Sequence, residues 1–348
     1  MRATPFFLAI LSTMTPSLVI GQETTTYPPL PGETGTYPPT PPETPPPENV
    51  IQAILSGIGS GFLGTQNFPP IHHWPEEEGL AYENVTFTSE DGVSCSGWFI
   101  PAQGSDKIII ANHPRWFNRA GIPEYSEADA RAPGSWWAVN FVPDYKILHD
   151  AGYNILAYDY RNHGLTDSTY AHTLGLLEAH DVAASLRYVR SREDTKHMKI
   201  GLFSRCVGAN ANLHASTLYP ELFENVQAQV FAQPLTVRVR MSRIMEYAGI
   251  SDDYSEAVSD SIRNTTGYGF ADYELVPLAE HVQIPTFVFQ VHDDFNTRPS
   301  DVQSVFDAIP IEDKKLYWIQ GTNRRWHAYS WFQEHPEQVV DWFDRLMV

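Results

Sequence analysis

The stretch Met198-Lys-Ile-Gly-Leu-Phe-Ser-Arg-Cys-Val-Gly-Ala209 decides the fold, because an apolar strand in it passes directly into a helix. The strand covers Met198–Phe203, and the helical pattern of apolar residues covers Val207–Leu218. A strand that turns this sharply into a helix is typical of a sheet whose strands alternate with helices along the chain.

The turn itself points to one reactive side chain. A nucleophile presented on such a turn sits on strained backbone, so the residues two before and two after it must be small. Ser204 fails this test because Leu202 and Cys206 occupy those positions, whereas Cys206 passes with Ser204 and Gly208. The sequence therefore predicts Cys206 as the nucleophile.

The rest of the globular region repeats the alternation of strands and helices. Apolar or alternating runs predict strands over Tyr82–Thr88, Val93–Ile100, Lys107–Asn112, Tyr153–Tyr160, Val226–Ala232, Thr286–Val291 and Leu316–Ile319. Helical spacing of apolar residues predicts helices over Leu176–Arg192 and Pro336–Leu346. This predicts an α/β fold with a mostly parallel, doubly wound sheet. Residues 235–283 break the rhythm, which indicates an inserted cap or an irregular crossover.

The turn around Cys206 resembles the nucleophile elbow of the α/β-hydrolase superfamily, with cysteine replacing serine as in dienelactone hydrolase-like members. The resemblance covers residues 80–348 and implies a sheet of the α/β-hydrolase type. In that superfamily an acid and a histidine follow the nucleophile in chain order. Asp293 and Asp294 end one downstream strand, and His327 follows the next. The preferred acid is Asp294, with Asp293 as the alternative.

This resemblance implies a reaction mechanism. The Cys206 thiolate would attack an acyl carbon, His327 would carry the proton, and Asp294 would orient the imidazole. The oxyanion hole would comprise the N–H groups of Val207 and Arg115, since Pro114 has none. The expected reaction is hydrolysis of an ester, lactone or thioester in a small-molecule acyl substrate. No cofactor and no metal are implied.

Two departures from the family pattern affect the turn and the oxyanion loop: Ser204 stands where glycine is usual, and Pro114 lies beside the expected donor. A disulfide between Cys95 and Cys206 would require Cα atoms within about 7 Å. The family's sheet order separates their strands, so we expect both thiols to be free and Cys95 to be a core residue.

Arginines cluster around the expected centre despite the acidic composition, and Arg205, Arg324 and Arg325 join Arg115 there. Two interpretations stay open. They form salt bridges with neighbouring carboxylates, or they bind a carboxylate-bearing or enolate-like substrate.

The N-terminal region has a different character from the rest. Residues 1–21 have the features of a secretory signal peptide, with Arg2 before an apolar run. Residues 22–50, whose first 28 positions contain ten prolines and no basic residue, predict an extended linker. The hydrolase-like domain is then 51–348. Glycosylation sequons at Asn84 and Asn264 agree with a secreted glycoprotein.

Composition narrows the function classes. The chain has 348 residues and a formal net charge of -19, with 23 basic against 42 acidic side chains. Such an acidic balance argues against nucleic-acid binding, which needs a basic face. The predicted signal peptide contains the only apolar stretch long enough to suggest insertion into a membrane. No stable membrane insertion is therefore expected after its cleavage.

Two alternatives share the predicted fold. Members of the superfamily also serve as cyclases, lyases or acyltransferases in natural-product biosynthesis, and a large cap would suit that chemistry. The second alternative is a non-catalytic binding protein on a hydrolase fold.

Overall fold

The computed structural model describes residues 41–64, 70–123 and 138–348. The predicted signal peptide, 1–21, and most of the predicted linker, 22–50, lie outside the described residues. The first helix begins at Glu48, so the last residues assigned to the linker are helical. Among the helices described, none is long and apolar enough to cross a lipid bilayer.

The core of the fold is one eight-stranded sheet. The described strands are β1 (Glu83–Thr88), β2 (Ser94–Ile100), β3 (Lys107–Asn112), β4 (Gly121–Ile122), β5 (Val139–Asn140), β6 (Asn154–Tyr158), β7 (Lys199–Arg205), β8 (Val226–Ala232), β9 (Thr286–Val291) and β10 (Lys314–Ile319). Of these, β4 and β5 form a separate two-stranded pair. The order in the large sheet is β1-β2-β6-β3-β7-β8-β9-β10. In this sheet β2 pairs antiparallel with β1 and β6, and the other strand pairs are parallel. The predicted mostly parallel sheet is confirmed.

Helices cover the sheet. They are α1 (Glu48–Ser60), α2 (Val142–Asp150), α3 (Glu178–Ser191), α4 (Val207–Leu218), α5 (Val237–Tyr247), α6 (Ser255–Thr266), α7 (Val276–Ala279), α8 (Pro299–Ala308), α9 (His327–Glu334) and α10 (Pro336–Leu346). Single 3₁₀ turns occur at Pro75–Glu78, Pro220–Leu222, Asp252–Tyr254 and Phe270–Tyr273.

Both faces of the sheet are buried, which is why its central strands are apolar throughout. In β3, Ile109 and Ala111 belong to one hydrophobic cluster, while Ile108 and Ile110 belong to another on the opposite face. Successive side chains of a strand point to opposite faces, so a strand covered on both sides needs apolar residues at every position.

The segment predicted as a cap is a helical insertion between β8 and β9. Its helices α5 and α6 belong to the same hydrophobic cluster as α1. Gly59 of α1 donates its N–H to Ser261 Oγ of α6 at 3.1 Å, and Ser261 donates to the Leu55 carbonyl at 2.6 Å. A Cβ on Gly59 would lie 2.4 Å from the Ser261 carbonyl oxygen. Glycine therefore allows α1 to pack closely on the insertion.

Candidate active site

Cys206 occupies a strained turn between β7 and α4. Its φ is 52° and its ψ is -111°, a backbone conformation that residues other than glycine rarely adopt. Its N–H donates to the Ala232 carbonyl at 2.8 Å, which fixes the turn against β8. Gly208 passes so close to Asn112 that a Cβ there would lie 2.8 Å from the Asn112 Cβ. The local geometry has the small residues that the sequence test required.

Ser204 has a structural position below this turn. It is fully buried, and its Oγ accepts hydrogen bonds from Asn112 Nδ2 at 2.9 Å and Asn212 Nδ2 at 3.3 Å. The hydroxyl therefore joins β3 and α4 to β7.

The two candidate acids differ sharply in their surroundings. The Asp293 side chain is 65% exposed and pairs with His292 at 2.7 Å. Asp294 is buried, and its carboxylate accepts hydrogen bonds from Gln290, from Thr297 and from the Asn296 N–H. Of the two, Asp294 is the carboxylate held inside the protein.

Arg325 stands between Asp294 and Cys206. Its guanidinium forms a buried ion pair with the Asp294 carboxylate and donates to the Gln233 carbonyl. Its Nε donates to the Tyr329 hydroxyl at 3.1 Å. The charge of the same guanidinium also acts on the Cys206 thiol. The buried carboxylate is thus paired with an arginine, where a triad would pair it with a histidine.

The structure does not bring together Asp294 and His327, which the sequence predicts as the acid and the histidine of a triad. No hydrogen bond or ion pair joins these two described residues, because the Asp294 carboxylate is engaged by Arg325. The Nδ1 of His327 instead hydrogen-bonds Thr322 Oγ1 at 2.6 Å. Burial, with a contribution from the Arg324 charge, lowers the pKa of His327 to about 4.

The environment of the Cys206 thiol favours its ionised form. Burial opposes ionisation, but the guanidinium groups of Arg325 and Arg240 and the Tyr329 hydroxyl outweigh it, so the pKa lies below its ordinary value. In Cys95, by contrast, burial and the Asp181 charge raise the pKa well above its usual range. Both cysteines are free, as predicted.

Two backbone N–H groups are available near the thiol. The N–H groups of Val207 and Arg115 have no acceptor among the described residues. The N–H of Trp116 is used by His163 Nε2 at 3.2 Å, and Trp116 has a φ of 67°. The two N–H groups predicted as oxyanion donors are therefore not used by other acceptors in the described part of the chain.

Arg205 does not face the site. It is fully buried, forms an ion pair with Asp144 and stacks over the rings of Phe203 and Phe141 at 3.9 and 4.3 Å. Its pairing with a buried carboxylate agrees with the salt-bridge interpretation that the sequence left open and does not support the substrate-binding one. Arg324 is also buried, beside His327.

Sequence reasoning missed two residues beside the thiol, Arg240 on α5 and Tyr329 on α9. Arg240 belongs to the arginine-rich run Val237–Arg243, which was recognised only as an interruption of the strand–helix rhythm. A small cavity of about 30 Å³ lies here between α1, α5 and the loop after β3. It is lined by Ile58, Gly61, Phe62, Arg115, Trp116, Arg240, Met241 and Ile244.

Solved structures share this architecture. The esterase Pf2001 of Pyrococcus furiosus superposes with a TM-score of 0.60 at 22% identity, covering 81% of this chain and 100% of its own. The α/β hydrolase GrgF of Penicillium sp. sh18 gives 0.53 at 17% identity, covering 77% and 99%. The chain has the α/β-hydrolase fold. Within that fold, Cys206 occupies the elbow after the central strand β7.

Relatives found by sequence match a shorter part of the chain. No protein-family model matches the chain. The uncharacterized protein YfhR of Salmonella typhimurium is 29% identical over 134 residues, which is 38% of this α/β-hydrolase-fold chain and 40% of YfhR. YfhR of Salmonella typhi matches to the same extent. The chain therefore spans less than half the length of the curated relatives it matches.

Proposed function

We propose that this protein is a hydrolase that cleaves an ester, lactone or thioester through an acyl-cysteine at Cys206. The observation that carries the proposal is the Cys206 thiol on a strained elbow, with the Arg325 guanidinium placed to stabilise its ionised form. A thiolate, rather than a thiol, is the attacking species in such reactions.

The first half of the reaction needs no general base. The Cys206 thiolate attacks the acyl carbon, and the N–H groups of Val207 and Arg115 receive the developing oxyanion. The sulfur–carbon bond forms, and the leaving group departs with the electron pair of the broken bond. Arg325 cannot take up a proton, because arginine stays protonated in proteins. Leaving groups that are stable as anions, such as thiolates and phenolates, are therefore the expected ones.

The second half of the reaction, in which the acyl group leaves Cys206, distinguishes hydrolysis from cyclisation or acyl transfer. Attack of water on the acyl-cysteine needs a base, and Arg325 occupies the place from which a histidine would act. We expect this step to limit turnover. The same observation favours a second candidate function, in which another nucleophile of the substrate accepts the acyl group and the protein acts as a cyclase or acyltransferase.

A substrate panel tests the proposal. Aryl esters, thioesters and lactones are incubated with the full chain, with Cys206→Ala, and with Cys95→Ala as the matched cysteine control. The proposal expects release of the leaving group by wild type and Cys95→Ala, and its loss in Cys206→Ala. Cyclised or transferred product without free acid would support the second candidate. Equal activity in Cys206→Ala would exclude both.

We also propose that the protein is secreted and glycosylated. Asn84 and Asn264 are exposed, so both sequons are open to modification. Expression through a secretory pathway should give a protein whose mass falls on glycosidase treatment. An unchanged mass would contradict the glycosylation.

A further inference from the structure

Two buried histidines join the loop after β3 to the loop after β6, and each accepts a backbone N–H from the other loop. His163, in the loop after β6, accepts the N–H of Trp116 on its Nε2 at 3.2 Å. His113, directly after β3, accepts the N–H of Tyr160 on its Nε2 at 3.1 Å. Both side chains are buried, and their rings meet edge to face with centroids 4.9 Å apart. The two loops are therefore joined twice, once in each direction.

The second nitrogen of each ring determines where the ring carries its proton. Nδ1 of His113 hydrogen-bonds the Pro114 carbonyl at 2.7 Å, and Nδ1 of His163 hydrogen-bonds the Arg161 carbonyl at 2.9 Å. A carbonyl oxygen only accepts and a backbone N–H only donates, so each ring is protonated on Nδ1 and not on Nε2. Burial keeps both rings neutral, since it lowers the pKa of each to about 3. Each imidazole thus links a carbonyl of its own loop to an N–H of the other.

These contacts set the direction of both peptide groups that flank the Cα of Arg115. The Pro114 carbonyl lies in the same planar peptide group as the Arg115 N–H, so its bond to His113 also fixes the direction of that N–H. The Trp116 N–H belongs to the next peptide group, which His163 fixes. Trp116 has a φ of 67°, a strained conformation that persists only where its surroundings hold it. The Arg115 N–H, one of the two predicted oxyanion donors, is therefore held from both sides.

We propose that these two histidines position the Arg115 N–H for the oxyanion that forms when Cys206 attacks an acyl carbon. The inference rests on the proposed acyl transfer to Cys206. Neither imidazole is a general base in it, because the Nε2 of each already accepts a backbone N–H. They are positioning residues that act through the backbone. Their removal should slow a reaction in which an oxyanion develops and spare a reaction of the same thiol in which none does.

Two reactions of Cys206 separate this role from a general effect on the fold. An aryl ester or thioester acylates the thiolate: the sulfur–carbon bond forms, a negative oxygen develops, and the phenolate or thiolate departs with its electron pair. Iodoacetamide alkylates the same thiolate at a saturated carbon with loss of iodide, so no oxyanion forms. Both rates are measured on the full chain, the first by release of the leaving group and the second by mass spectrometry of the Cys206 peptide.

We expect His163→Leu to slow acylation by about tenfold or more, since loss of an oxyanion donor typically costs about a hundredfold or more, and to leave alkylation unchanged. His163→Gln should retain most of the acylation rate, because the glutamine side-chain oxygen can accept the Trp116 N–H in place of Nε2.

His172→Leu is the matched control for loss of a buried imidazole from the same cluster. The His172 ring is buried and meets the His163 ring edge to face at 4.9 Å, but its Nδ1 has no hydrogen-bond partner in the described part of the chain. This variant should leave both rates unchanged.

A measurement on the wild type tests the bonding itself without turnover. In the chain carrying isotope-labelled histidine nitrogen, NMR distinguishes a ring protonated on Nδ1 from one protonated on Nε2. The signals of His113 and His163, assigned by their loss in His113→Gln and His163→Gln, should both show the proton on Nδ1.

Several results would overturn the inference: a proton on Nε2 of His163, acylation that is unchanged in His163→Leu, an equal fall of acylation and alkylation in that variant, or no rescue by His163→Gln. The proposed function fails separately. Absence of acylation in the wild type would reject acyl transfer and, with it, the role in oxyanion binding. Acylation of the wild type that His163→Leu leaves unchanged would reject this inference alone.

Discussion

At the scale of single residues, Arg325 determines how Cys206 reacts. Since its guanidinium lowers the pKa of the thiol, Arg325→Gln should shift the midpoint of the pH dependence of alkylation upward. His327→Gln is the matched comparison, because no described contact joins His327 to Asp294. The measurement is the rate of reaction with iodoacetamide between pH 5 and 10. A larger shift in His327→Gln than in Arg325→Gln would restore the histidine to the predicted role.

For Arg205 the prediction concerns the stability of the fold and not the reactivity of Cys206. Arg205→Gln leaves the fully buried Asp144 without its cation, and breaking a buried pair in this way costs about 3–5 kcal/mol. Arg345→Gln, which breaks the surface pair with Asp313, should cost less than about 1 kcal/mol. Urea denaturation of both variants checks this. Equal stability of Arg205→Gln and wild type would contradict the structural role.

The sequence was informative about Cys206 and Asp294, and not about the residue between them. Small neighbours mark the elbow, and Asp294 directly follows an apolar strand, so both positions have local signals. Arg325 and His327 lie two residues apart in the same loop region, and either could face the carboxylate. The choice depends on helix α9 beginning at His327, which leaves Arg325 in the turn before it. No local pattern encodes that choice.

At the scale of elements, α1 packs on the insertion and borders the small cavity beside Arg115 and Arg240. Its apolar face comprises Ile51, Ile54, Leu55 and Ile58, all buried against the insertion. Burial of a large aliphatic side chain contributes about 1.5–3 kcal/mol. Removing α1 should therefore cost several kcal/mol and expose the cavity.

Truncation measures this contribution. The fragment 61–348 should unfold at a clearly lower denaturant concentration than 41–348, and its Cys206 should react faster with iodoacetamide. Identical midpoints and identical rates would show that α1 neither supports the fold nor covers the thiol.

The strands were predictable and several helices were not, for a physical reason. A buried parallel strand is an apolar run, and the predictions for β3, β8 and β9 agree with the structure at both ends. Helix α1 begins within the last three residues of the predicted linker, 22–50, and its amphipathic pattern was not recognised as a helix. Helix α2 is short and carries proline in its first turn, where proline is tolerated but the pattern is too brief to recognise.

At the scale of the whole molecule, buried histidines predict loss of stability in acid. Burial lowers the pKa of His113 and of His163 to about 3 and that of His214 to about 4. The unfolded chain binds these protons near pH 6.5 and the folded chain does not, so stability falls as the pH drops below 6.5. Each of these three histidines should therefore lower the free energy of unfolding by about 2 kcal/mol at pH 5.

Two buried carboxyls act in the other direction. Burial raises the pKa of Asp144 and of Asp301 to about 6, so each should add about 1.4 kcal/mol to the free energy of unfolding between pH 7.5 and pH 5. The net expectation is a loss of stability, since burial also lowers the pKa of His172 and of His327. Guanidinium denaturation at pH 7.5 and pH 5 measures it. His214→Asn should reduce that difference. Greater stability at pH 5 than at pH 7.5 would contradict the buried neutral histidines.

Intact-mass spectrometry after rapid mixing with an aryl ester or thioester detects the proposed acyl-cysteine at Cys206. We expect a burst of leaving group and one acyl adduct that maps to the Cys206 peptide and persists, because Arg325 cannot activate water. Cys206→Ala should give no adduct. An adduct on another residue, or leaving-group release that continues in Cys206→Ala, would exclude acyl transfer to Cys206.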